Sequence, residues 1–112
     1  MKLLSRTEEV LLIAACRLGQ EAFALNIKDE VQSLTGKEFS IGGIYVPLDR
    51  LVRKGYLRTR EEMGPADRQG RPRRVYEITP QGVAALSEVR ELNRALWTAL
   101  PEPLVGKLRF GG

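Results

Sequence analysis

The chain has 112 residues, 43% of them hydrophobic and 29% charged, with a net charge of +4, which fits one ordinary domain with one modest core. One cysteine and no histidine exclude a disulfide framework, a Cys/His zinc site and a histidine general base. The charge is uneven: residues 50–74 hold nine Lys or Arg against three acids, net +6, leaving −2 for the rest of the +4 chain, and a local basic field on a neutral-to-acidic body suits a phosphate-bearing partner.

In chain order, Ser5-Arg6-Thr7-Glu8 is a capping box that opens a first helix from about Arg6 to Leu18, with Gly19 as its stop. Helical spacing puts Val10, Ile13, Ala14 and Leu18 on its buried face. Cys16 ends the apolar run "VLLIAAC" and is expected as a buried thiol. "IAAC" resembles a lipoprotein cleavage site, but the apolar run before Cys16 is too short for a signal and follows Glu8 and Glu9. No stretch has the length of a membrane span, so the expectation is a cytoplasmic protein without a membrane partner.

Asn26 is the expected N-cap of a second helix, Ile27 to Leu34, with Gly36 behind it and an apolar stripe of Ile27, Val31 and Leu34. Ser40 caps a third helix ending at Lys54, with Gly55 after it. At about 100° per residue, Ile41, Ile44, Leu48 and Leu51 share its buried side, and Gly42, Val46, Asp49 and Arg53 face away. Pro47 inside this segment implies either a kink or a late start near Ile44, where a missing amide has no helical partner.

"YLRTREE" and "VYEIT" read as strands joined by the basic loop "MGPADRQGRPR". Thr79 as N-cap and Pro80 at the first helical position then start a last helix that runs to about Leu100. The expected fold is mainly α with a β-hairpin, a winged helix-turn-helix plus a long C-terminal helix. The expected organisation is residues 1–79 as winged-helix domain, 80–100 as dimerisation helix and 101–112 as flexible tail.

That fold gives the unusual third helix a purpose. A recognition helix lays its leading end in the major groove of double-stranded DNA, where Gly42 and Gly43 keep the first turn slim and leave its amides open to phosphate. Tight helix–helix packing would explain the same glycines. Tyr45 flanks the exposed face as a DNA contact or as a core-edge aromatic. Arg50 and Arg53 are exposed by phase and suit DNA contact; Asp49 is expected to pair with Arg53. In the loop, Arg68, Arg71, Arg73 and Arg74 crowd around Gly70 and Pro72, a composition suited to phosphates or a narrow minor groove.

Three segments, "SRTEEVLLIAACRLG", "GGIYVPLDRLVRKGYL" and "GRPRRVYEITPQGVAAL", resemble the first helix, the third helix with its following strand, and the wing with the start of the last helix in the PadR family of bacterial transcriptional regulators. The resemblance spans about Leu4 to Trp97. It implies a homodimeric winged-helix repressor with Ser40, Gly43, Tyr45 and Arg50 in the reading helix and Gly70, Arg71 and Arg73 in the wing. Val46 here separates the tyrosine from Pro47, where many members place proline directly after it, and the multi-helix C-terminal region of larger relatives is missing.

The last helix carries Leu86, Val89, Asn93, Leu96 and Leu100 at spacings of 3, 4, 3 and 4, a short heptad seam with one polar position. The same seam suits packing on the first helix. A dimer through this helix, with Trp97 at the interface, matches the twofold symmetry of palindromic half-sites. Some family members hold flat aromatic molecules between such helices, so Trp97 reads either as a platform for a small aromatic effector or as a helix-end aromatic that buries area in the dimer. No cofactor, metal site or catalytic constellation is indicated. The alternative reading is a winged-helix protein-interaction module whose basic wing docks on an acidic partner.

Overall fold

The structure is a computed structural model that describes residues 3–63, 72–104 and 106. Among the described residues the elements of the fold follow in the order α1 (Arg6–Leu18), α2 (Ala24–Thr35), α3 (Ile41–Arg53), β1 (Leu57–Met63), β2 (Pro72–Ile78) and α4 (Pro80–Thr98), with a short 3-10 turn, Gly19–Glu21, between α1 and α2.

α1 begins where its cap dictates. The Glu8 amide donates to Ser5 Oγ at 3.1 Å and the Ser5 amide donates to Glu8 Oε1 at 2.9 Å, which satisfies two amides that the first helical turn leaves open. Its buried residues are Glu8, Leu11, Leu12, Ala14 and Ala15. The expected phase is corrected here: Ile13 is 38% exposed, Val10 and Leu18 are half-buried, and Cys16 lies at the surface. An unbroken apolar run carries no period, so it cannot mark which side faces inward; the anchored Glu8 does.

α2 starts earlier than expected. Its N-cap is Phe23, which makes no side-chain cap, and Asn26 instead donates Nδ2 to the Glu21 carbonyl at 2.8 Å. Ala24, Ile27 and Val31 form the buried stripe, a helical repeat that starts two residues upstream of Asn26. Leu34 shares the phase of that stripe but lies in the last turn and is 44% exposed. Gly36 closes the helix in the left-handed conformation at φ 73°, which glycine adopts without a Cβ penalty.

α3 starts at Ile41 with Ser40 Oγ accepting from the Gly43 amide at 2.9 Å. Pro47 is therefore interior, and the late start is excluded. A proline there supplies no amide to the Gly43 carbonyl one turn back. Ile44, Leu48 and Leu51 are buried, whereas Ile41, expected on the same side, is 45% exposed; at the first helical position it overhangs the core.

The strands pair antiparallel from Leu57↔Ile78 to Met63↔Pro72. β2 begins three residues before the expected "VYEIT", so Pro72–Arg74 belong to the ladder rather than to the loop. The Tyr76 amide also donates to the Ala22 carbonyl at 3.0 Å, which ties β2's outer edge to the corner between α1 and α2.

Thr79 locks α4 onto the hairpin. Its hydroxyl accepts from the Gly82 amide at 3.1 Å and donates to the Gly55 carbonyl at 2.5 Å. A Cβ on Gly82 would stand 2.3 Å from the Tyr56 carbonyl oxygen, so only glycine lets the helix lie this close. Ala85 and Val89 from α4 join the core built by α1, α2, α3 and the hairpin. Of the dimer seam, Val89 is thus buried within its own chain and Leu86 packs against the same core. Asn93 and Leu100 are half-buried, while Leu96 and Trp97 are 57% and 60% exposed. α4 ends at Thr98, two residues short of the expected Leu100.

Candidate nucleic-acid interface

α3 presents one continuous outward face. Ser40 and Gly42 lead it, Tyr45, Val46 and Asp49 follow, and Arg50 and Arg53 close it; all are exposed. A Cβ on Gly42 would meet nothing within 4 Å, so helix packing does not account for that glycine. The nearest neighbours a Cβ on Gly43 would meet are Ser40 Oγ at 3.1 Å and Phe39 at 3.8 Å, both beside the helix's own cap. Among the described residues, neither Arg50 nor Arg53 forms an ion pair. The expected Asp49–Arg53 pair is absent there; the charge of Asp49 acts instead on Arg74 of the hairpin.

The hairpin arginines divide into two groups. Arg58 pairs with Glu77 at 3.2 Å, and Arg60 pairs with both Glu77 and Glu62. Glu77 lies just outside the basic window read from the sequence, so two of that window's cations are compensated from beyond it. Arg60, then Arg58, holds the Glu77 carboxyl below its ordinary range. Arg73 and Arg74 lie nearer α3. The Arg73 guanidinium stacks over the Phe23 ring at 4.8 Å, and its buried Nε has no hydrogen-bond partner among the described residues. Arg74 stands across the ladder from Glu61; Tyr76 foremost, then Asp49 and Glu61, raise its already high pKa. Gly70, Arg71 and Arg68 lie outside the described residues.

α2, α3 and the hairpin meet around a groove of about 540 Å³ lined by Phe23, Ala24, Leu25, Asn26, Tyr45, Glu61, Pro72, Arg73, Arg74 and Tyr76. Burial pushes the Tyr76 hydroxyl up, against the neighbouring Arg74, and among the described residues it has no hydrogen-bond partner of ordinary geometry. Sequence reasoning missed Phe23 and the amino end of α2. Their signal was weak: "AFALN" has no capping residue before the true helix start, and the stack on Arg73 joins positions 50 residues apart.

The remaining features are peripheral to this surface. Cys16 borders a second open groove with Arg60, Glu62 and Glu77, and partial burial pushes its thiol up although the residue is exposed overall. No group of three or more metal-ligating side chains occurs among the described residues. None of the helices described is long and apolar enough to cross a membrane.

An exposed helix carried by a helix-turn-helix, with an arginine-bearing antiparallel hairpin beside it, defines a winged-helix DNA-binding domain. The model of the PadR-like transcriptional regulator family matches residues 11–88. The chain belongs to that family.

Solved structures agree. The RosR protein of the hsRosR-S1 complex is 26% identical, with a TM-score of 0.64 over 87% of this chain and 79% of that one. A PadR-like transcription factor from Bacteroides fragilis is 25% identical, with a TM-score of 0.61 over 80% of this chain and 85% of that one. F93 of STIV, a winged-helix DNA-binding protein, is 20% identical with a TM-score of 0.62 over 83% and 92%, and shows likeness of fold. No curated protein matches the chain in sequence.

Proposed function

We propose that the protein is a cytoplasmic, homodimeric repressor that binds a palindromic operator and blocks polymerase, without catalytic activity of its own. The observation that carries this reading is the outward face of α3. Two arginines without ion pairs among the described residues, Arg50 and Arg53, follow a leading turn whose Gly42 opens onto empty space. Such a face reads bases at its amino end and neutralises phosphates at its carboxyl end. Arg73 and Arg74 of the hairpin meet the adjoining backbone, and Gly70 and Arg71 join them as DNA contacts in this reading.

The dimer forms through the outer half of α4. Leu96 and Trp97 are more than half exposed on a single chain, and large apolar side chains at one helix end favour a partner surface. Leu86, Val89 and Asn93 lie on the same helix, and Leu100 follows just past its end. Trp97 at the junction of two copies is a platform on which a flat aromatic effector stacks.

The test is fluorescence anisotropy of a labelled duplex from upstream of the protein's own gene, against a scrambled duplex, across a salt series. Tight binding to the first with a steep salt slope on both is the expected result. Equal, weak binding to both, repeated with duplexes selected from a random library, overturns sequence-specific recognition and favours an acidic protein partner for the wing.

A further inference from the structure

The centre line of α3's outward face is Gly42, Val46, Asp49 and Arg53, which fall within about 60° of one another at helical spacing. Gly42 presents no side chain and Arg53 stands in the last turn, so the middle of the face is Val46 and Asp49. Val46 is 56% exposed and is not one of the apolar residues packed on the core. An exposed β-branched residue is also a poor helix former, so its place on α3 is not explained by the fold.

Asp49 is exposed and enters no ion pair among the described residues. A carboxylate turned toward DNA is repelled by phosphate, so it suits base edges and not backbone. The centre of the helix face is where base edges lie. Arg50 and Arg53 flank Asp49 along the helix, and Arg74 of the hairpin feels its charge; these cations offset the repulsion.

The two side chains differ in what they can recognise. Valine neither donates nor accepts, and the apolar group that the major groove offers is the thymine 5-methyl. A carboxylate only accepts; this rejects the acceptor edge of guanine and the O4 of thymine and leaves an exocyclic amino group. Adenine sets its N7 acceptor beside that amino group, whereas cytosine presents the amino group alone. We propose that Val46 and Asp49 are specificity-determining residues of α3: Val46 packs on a thymine methyl, and Asp49 accepts from the N4 amino group of a cytosine. Three residues of helix advance about 4.5 Å against about 3.4 Å per base pair, so the two bases belong to neighbouring pairs. This inference rests on the DNA-binding reading and names two bases of the half-site.

The test starts from a duplex selected by the full-length wild type from a random library. Deoxyuridine in place of single thymines deletes only the 5-methyl. At one thymine per half-site this costs roughly fourfold in affinity, the scale of one buried methyl. Val46→Ala withdraws the apolar contact and loses that penalty. A second selection, with Asp49→Asn, replaces the cytosine on a pair next to that thymine by adenine, because asparagine pairs with the N6 and N7 of adenine. The same variant binds scrambled duplex more tightly than the wild type, since a charge repelled by phosphate is gone.

Deoxyuridine penalties that are equal in wild type and Val46→Ala at every thymine overturn the assignment of Val46. An Asp49→Asn protein that selects the wild-type half-site and shifts affinity alike for all duplexes overturns that of Asp49; its carboxylate would then act on the hairpin through Arg74. Absence of any selected duplex would sink the functional reading itself, a result visible in the wild type before any variant is made.

Discussion

Lys54 Nζ donates to Glu8 Oε2 at 2.5 Å, tying the residue that caps the end of α3 to the first turn of α1. The same carboxylate accepts from the Ser5 amide through its other oxygen, so one side chain completes a helix cap and anchors the reading helix. Glu8 is 4% exposed. Burial pushes its pKa up; Lys54 and the Ser5 amide outweigh that and hold it below the ordinary range.

Lys54→Met leaves the Glu8 charge buried with only its local donors. Lys54 is itself partly exposed, so solvent screens its side of the pair and the expected loss is on the order of 1–2 kcal/mol. Glu8→Gln retains the cap geometry and removes the charge, so it costs less than Lys54→Met. Urea unfolding of the two variants checks the order; a larger loss for Glu8→Gln would refute it.

The same pair sets an acid dependence. The folded pKa of Glu8 lies below its unfolded value. The pair therefore stabilises the fold fully above the unfolded pKa of about 4.3, and that contribution disappears as pH falls through the lower folded value. Wild type and Glu8→Gln should accordingly converge in stability on acidification. Thermal melts at descending pH measure the gap.

Two glycine substitutions have opposite expected effects. Gly82→Ala places a methyl 2.3 Å from the Tyr56 carbonyl and must push α4 off the hairpin, at a cost of about 3 kcal/mol or more. Gly42→Ala enters open space and gains up to about 1 kcal/mol of helix propensity. It should nevertheless weaken DNA binding, because the added methyl stands between the leading turn and the duplex. A Gly42→Ala protein that is more stable and binds equally well would remove Gly42 from the interface.

Arg50→Ala and Arg53→Ala touch no ion pair among the described residues, so melting should shift within about 0.5 kcal/mol. Operator affinity should fall in each. Loss of discrimination against scrambled duplex marks a base contact, and a lower salt slope with unchanged discrimination marks a phosphate contact.

Trp97→Ser removes a side chain that is 60% exposed on one chain. Monomer unfolding should barely change, while sedimentation should show weaker self-association. A variant that sediments like the wild type at every concentration would place the dimer elsewhere.

Features governed by near neighbours were legible in the sequence. Ser5, Ser40 and Thr79 each cap the helix expected of them, because an N-cap acts over three residues. What depends on distant partners was not. Arg58 and Arg60 count as spare charge until the ladder sets Glu77 beside them. Arg73 reads as a loose wing cation until the turn at Phe23 arrives beneath it. α2 starts at an uncapped Phe23, where tertiary burial of Ala24 replaces the local signal, and the unbroken apolar run of α1 left Ile13 and Cys16 without a phase.

The rung from the Tyr76 amide to the Ala22 carbonyl has a mechanical consequence. A hairpin gripping one side of a duplex is pulled whenever the DNA bends or slides. Here β2 has its own link into the corner joining α1 and α2, beside the link from β1 back to α3, so strain on the wing reaches the first two helices as well.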